Sequence, residues 1–184
     1  LLTTNVSMVN LELRVAAPDK ISLEAAATIL KTLTIKVQEI SDLRTAEAAT
    51  LFEIAKRDTN MALTNELAVF CQSANIDYFK VLDALNLNTP SFRPTAVEEE
   101  NKNEIYLLLE GAENLNAKLR LSTLARQINE DMVKHAVNLA QDALRSCGKT
   151  LRRCRVAVLG PAYTSLATDI FVKLIEQKGA KVNF

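Results

Sequence analysis

Apolar and polar positions follow a spacing of two at the two ends of the chain and a spacing of three and four through its middle. Val9-Asn10-Leu11-Glu12-Leu13-Arg14-Val15 alternates, as a half-buried strand does. Pro18-Asp19-Lys20 reads as a turn, and Ser22 can cap a helix over Leu23–Leu33. Ile35-Lys36-Val37-Gln38-Glu39-Ile40 alternates again and predicts a second strand. From Thr45 the period becomes helical and runs to about Ala74 without Pro or Gly. A helix of that length spans roughly 45 Å. Ala48, Leu51, Phe52, Ala55, Ala62, Leu63, Leu67 and Phe70 are expected to supply its core-facing stripe, with Glu53 and Arg57 as a surface pair.

Downstream, Asp77–Leu85 predicts a shorter helix, Asn86–Asn103 a polar loop with prolines, and Glu104–Asn116 a further helix. A second long helix is expected over Ser122–Cys147. Leu124, Ile128, Met132, Ala136, Leu139, Ala143 and Cys147 form its apolar face, and Arg126, Glu130, Lys134, Asn138 and Arg145 lie opposite. Gly148 suits the terminating position. Arg155–Gly160 then reads as a buried strand, Ser165–Lys178 as a helix, and Lys181 as the start of another strand. That order opens a β-α-β unit. The expected fold is mostly α with flanking α/β. Residues 1–44 form the end of one α/β domain, 45–150 a helical domain, and 151–184 the start of another α/β domain. Two long rods too extended for one small core are expected to be buried by a second copy, giving a homodimer, with packing against a further domain as the alternative.

Composition changes this picture in two places. Twenty-two basic and 22 acidic side chains cancel, which gives no electrostatic reason for a nucleic-acid partner or an anionic membrane surface. No apolar run approaches the ~18 residues of a membrane helix. Glycine is scarce: four stand singly at 111, 148, 160 and 179, so no GxGxxG or Walker-type loop exists to cradle phosphate. Cys71, Cys147 and Cys154 lack metal-ligand spacing, and their odd number suggests reduced thiols in the cytoplasm. The opening at Leu1 without methionine, and the close on what reads as a strand in progress, suggest a piece of something larger.

Single residues with reactive side chains have plain readings. Cys71 and Cys147 fall on apolar helix faces, and Cys154 precedes a buried strand. His135 can pair with Asp131 one turn earlier on a solvated surface. Lys149, Arg152, Arg153 and Arg155 are read as solvated cations.

Three segments together carry a family resemblance. They are Arg44-Thr45-Ala46-Glu47-Ala48-Ala49 running through Leu51-Phe52-Glu53 into Arg57-Asp58-Thr59-Asn60-Met61-Ala62-Leu63-Thr64-Asn65-Glu66-Leu67-Ala68; Ala125-Arg126-Gln127-Ile128-Asn129-Glu130-Asp131-Met132; and Val156-Ala157-Val158-Leu159-Gly160-Pro161-Ala162-Tyr163. In order and spacing the chain resembles the NAD-dependent UDP-glucose and UDP-N-acetylmannosamine 6-dehydrogenases. The resemblance implies an NAD-binding domain, a helical dimer centre and a UDP-binding domain. This chain would hold the end of the first, all of the second and the start of the third. NAD and a UDP-sugar are then ligands implied for the whole protein, with no cofactor bound by this chain. Arg57, Asp58, Asn60, Asn65 and Glu66 would serve helix packing or the dimer. Arg93 and Asn129 are the leads for substrate contact.

The family's chemistry does not carry over. It uses a cysteine in a glycine-rich loop, plus a lysine and an asparagine four residues apart; those last two positions fall on Thr50 and Ile54. Neither can offer an ammonium or an amide to a developing oxyanion. The loop, Arg93–Asn103, has no glycine and no cysteine, and Glu98-Glu99-Glu100 would repel a diphosphate. The reading is a catalytically degenerate dimer core without catalytic, cofactor or metal residues of its own. The alternatives are part of an active UDP-sugar 6-dehydrogenase with altered site residues, or a 6-phosphogluconate or 3-hydroxyacid type of dehydrogenase.

Overall fold

The computed structural model describes residues 12–33, 36–87, 89, 92, 94, 102–159 and 166–183. The chain divides into two compact units, Leu1–Glu53 and Ile54–Phe184. In the first, strand β1 (Glu12–Ala16) and strand β2 (Lys36–Ile40) pair in parallel, from Glu12↔Lys36 to Ala16↔Ile40. Parallel pairing requires a crossover, and helix α1 (Lys20–Lys31) supplies it. Its buried face, Leu23 and Ala27, packs with Val15, and Ala26, Leu30 and Val37 close around them. Asp19, rather than Ser22, caps the helix: its carboxylate accepts from the Ser22 amide at 2.9 Å and hydroxyl at 2.7 Å. Those bonds hold the Asp19 carboxyl below its usual range.

The first long helix, α2 (Leu43–Ser73), begins in this unit and continues into the next. Asp42 accepts from the amide and hydroxyl of Thr45, fixing the first turn two residues ahead of the expected start. Glu53 pairs with Arg14 of β1 rather than with Arg57.

The second unit contains the rest of α2, then α3 (Tyr78–Ala84), α4 (Lys102–Asn114), α5 (Arg120–Ser146), β3 (Arg155–Ala157), α6 (Leu166–Gln177) and β4 (Lys181–Asn183). Five of its helices stop in one way. Asn75, Asn86, Asn116, Gly148 and Gly179 take positive φ after α2, α3, α4, α5 and α6. At each, the residue's own amide and the next one donate back to carbonyls of the last turn, such as Gly148 to Arg145 and Lys149 to Leu144. Gly148 was legible as a stop. The three asparagines, which tolerate the left-handed region better than most residues, carried the same signal.

β3 and β4 pair in parallel across α6. Val137, Leu151, Ile175 and Ala180 form their core, with Leu144, Val156, Phe171, Leu174 and Val182 packed against it. The strand expected to reach Gly160 stops at Ala157, although Val158 still donates to Asn183. Leu159 is 93% exposed, and Gly160 lies outside the described residues.

Both long helices correct the expected burial. On α5 the covered face is Ala125, Arg126, Asn129, Val133 and Val137, one residue round from the predicted Leu124–Cys147 stripe. One residue is about 100° of helix. Cys147 is exposed at the C-cap. On α2, Ile54, Asp58, Ala62 and Asn65 are covered, whereas Phe52, Leu63, Leu67 and Phe70 are exposed. Apolar residues thus occupy two opposite sides of α2, and a single-stripe reading cannot choose between them.

Candidate functional site

The structure's most distinctive chemistry lies between α2 and α5. Asp58 and Asn65, seven residues apart, share the covered side of α2. Arg126 and Asn129, three apart, share that of α5. Asn65 and Asn129 are completely buried, and Asp58 and Arg126 nearly so. The Asn65 side-chain amide donates to Asn129 Oδ1 at 3.0 Å. Asn129 Nδ2 in turn donates to Asp58 Oδ1 at 3.0 Å and to the Asp58 carbonyl at 2.9 Å. Arg126 Nη1 stands 2.9 Å from Asp58 Oδ1.

The cluster reaches the rim through Glu130, whose Oε1 is 3.8 Å from Arg126 Nε, too far for a hydrogen bond. Glu130 accepts a hydrogen bond from the Tyr106 hydroxyl of α4. Burial pushes the Asp58 carboxyl above its usual range, against the pull of Arg126 and Asn129, and Glu130 adds to the rise. Tyr106, part-covered and beside Glu130, is pushed up to about 12. Among the described residues, Asp58 Oδ2, Arg126 Nε and Arg126 Nη2 lack hydrogen-bond partners.

This arrangement can hold helices in one register; its buried members, Asp58, Asn65, Arg126 and Asn129, face one another rather than solvent. The expected packing residues separate accordingly. Asp58 and Asn65 belong to the cluster, whereas Arg57, Asn60 and Glu66 are exposed. Asn129 sits at its centre, with both side-chain amide atoms engaged. Arg93 lies outside the described residues. Arg126 was placed on the polar face of α5 and turns out to be covered, because Asp58 supplies a counter-charge there. A signal existed: Asp58 lies four residues from both Ile54 and Ala62, so it shares their face. Tyr106 was not anticipated.

Other candidates have ordinary surroundings. Thr50 donates to the Ala46 carbonyl of its own helix at 3.1 Å, and Ile54 is 5% exposed. Cys71 is buried, Cys154 half-buried, and the Cys154 thiol meets the Arg155 carbonyl. His135 meets Gln72 Oε1 at 2.9 Å, while Asp131 pairs with Lys134 instead. Lys149, Arg152, Arg153 and Arg155 are exposed.

No group of three potential metal-ligating side chains, and no helix long and apolar enough to cross a membrane, occurs among the described residues. Among the described residues Gly148 and Gly179 take positive φ and close helices.

Comparison with known proteins agrees with the arrangement of helices. Residues 44–131 match the UDP-glucose/GDP-mannose dehydrogenase family, central domain. Protein CapL of Staphylococcus aureus is 30% identical over 153 residues, 80% of this chain and 36% of that protein. The UDP-N-acetyl-D-mannosamine dehydrogenase of Pyrococcus horikoshii is 29% identical over 71% of this chain and 31% of its own length. The chain therefore spans about a third of the curated relatives it matches. The structure of a UDP-glucose dehydrogenase from Pyrobaculum islandicum superposes with a TM-score of 0.77, covering 92% of this chain and 41% of that one at 19% identity. That likeness concerns the fold alone.

Proposed function

Since the chain belongs, through residues 44–131, to the UDP-glucose/GDP-mannose dehydrogenase family, we propose that it is the helical dimerisation core of a UDP-sugar dehydrogenase-like protein that has lost its oxidising chemistry. In this reading residues 1–44 close an NAD-binding-type domain and 151–184 open a UDP-binding-type domain. The setting is cytoplasmic.

The observation that carries the reading is the uncovered side of α2. Leu63, Leu67 and Phe70 follow one another at four and three residues and are 51%, 47% and 62% exposed. Covering the exposed half of such a side chain contributes about 1 kcal/mol. Three from each copy therefore contribute about 6 kcal/mol, of the same order as an association cost of about 4 kcal/mol or more. Exposed Leu121, Leu124 and Leu139 on α5 add further apolar area, and Arg57, Asn60 and Glu66 supply a polar rim.

The loss of chemistry is supported by Thr50 and Ile54. The first is bonded into its own helix and the second is a buried hydrocarbon, where the family resemblance calls for lysine and asparagine. NAD and a UDP-sugar remain the ligands of the family's chemistry, and in this reading the complete protein turns over neither.

Sedimentation equilibrium of the chain at micromolar concentration should give a dimer, and Leu67→Asp with Phe70→Asp should give a folded monomer. A parent monomer overturns the dimer reading. Calorimetric titration of the complete protein with NAD and a panel of UDP-sugars tests the other half. Binding of both, with steady NAD reduction, would replace it with an active dehydrogenase of altered site residues.

A further inference from the structure

We propose that the Asp58–Asn65–Arg126–Asn129 cluster decides which side of α2 lies against α5. Apolar burial alone leaves that choice open. The covered side carries Ile54 and Ala62 with half-covered Leu51, Met61 and Val69, and the uncovered side carries Phe52, Leu63, Leu67 and Phe70. Hydrophobic burial is non-directional and grows with area, so it does not separate two faces of similar apolar content.

The directional constraint comes from α5. Its orientation is held independently, because Val137 and Leu144 are built into the core with Ile175 of α6. That packing leaves Arg126 and Asn129 on the covered face, where they require partners. Asp58 and Asn65 meet them with matching geometry. The other side of α2 would offer hydrocarbon and leave a guanidinium and an amide buried without partners.

The cluster is poorly built as a simple stabiliser. Three buried polar atoms have no hydrogen bond among the described residues, and an apolar replacement of similar volume avoids that cost. Selection of one packing over another accounts for such a cluster in a way that net stability does not. The inference concerns only the fold of one chain and holds whatever covers Leu63, Leu67 and Phe70.

The test replaces all four residues with apolar ones of similar size (Asp58→Leu, Asn65→Leu, Arg126→Met, Asn129→Leu). A single reporter thiol is placed on the covered side of α2 by Ile54→Cys, with Cys71→Ala, Cys147→Ser and Cys154→Ser removing the native thiols. Modification by a small disulfide reagent should be slow with the cluster intact and about tenfold faster or more in the fourfold variant, with helical circular dichroism retained. Equal protection with an equally sharp thermal transition overturns the proposal. Should the fourfold variant lose helicity, Asp58→Leu/Arg126→Met and Asn65→Leu/Asn129→Leu are read separately in the same way. Faster labelling in either pair supports the proposal, and unchanged labelling in both overturns it.

Discussion

One stretch of α5 meets α6 and the β3–β4 pair through hydrocarbon, and another stretch of the same helix meets α2 through charges and amides. Around Val137 and Ile175 the contact is apolar and can repack when a side chain changes. Around Asp58 and Arg126 every bond has a direction, and each buried group is costly once its partner is removed. The difference separates two tasks on one rod. The apolar joint supplies free energy with modest selectivity, and the polar joint supplies selectivity at some expense in free energy.

The largest break in this comparison should come from Arg126→Met, which leaves Asp58 buried without its counter-charge. A loss of about 3–5 kcal/mol in urea denaturation is expected, and adding Asp58→Leu should recover most of it. A single variant as stable as the parent would show that the pair is dispensable. Ile175→Ala, at the fully buried centre of the apolar joint, should cost about 3 kcal/mol through lost contact and the cavity left behind. No second substitution opposite it should restore that loss as completely.

Acid titration sharpens the contrast. Burial holds the Asp58 carboxyl above 3.8, so the folded chain keeps this proton to higher pH than the unfolded chain does. The residue's contribution to stability is then greatest below 3.8 and is lost as pH rises through the raised value. Asp58→Asn should remove that falling component from urea midpoints measured between about pH 4 and pH 7. An unchanged slope would mean that Arg126 outweighs burial. The smallest effect is expected at the rim. Tyr106 is raised from 10.0 to about 12, so its contribution is present below 10.0 and fades as pH climbs through about 12. Tyr106→Phe should flatten that alkaline decline, modestly, because Tyr106 is 40% exposed.

Periodicity located the six helices and four strands of the described residues to within a few residues, because a long run free of Pro and Gly has few alternatives. Which side of each helix is covered was not legible. On α5 the apolar stripe and the covered face lie one residue apart, and Arg126 breaks the rule that charge faces water. On α2 apolar residues lie on both sides, so their periodicity cancels. The candidate site was half visible: Asp58, Asn65 and Asn129 stood out through the family resemblance, while Arg126 and Tyr106 did not, since their partners lie on other helices.

The sequence by itself determined the order of elements, their stops at Asn75, Asn86, Asn116, Gly148 and Gly179, and the absence of lysine and asparagine from positions 50 and 54. These are local properties, set by backbone preference and side-chain chemistry within a few residues. Only the tertiary structure decided that Asp58 meets Arg126 and that Leu63, Leu67 and Phe70 stay outside. Hydrogen bonds across separations of 64 and 71 residues have no signature in local spacing; they exist only once two rods have been laid together.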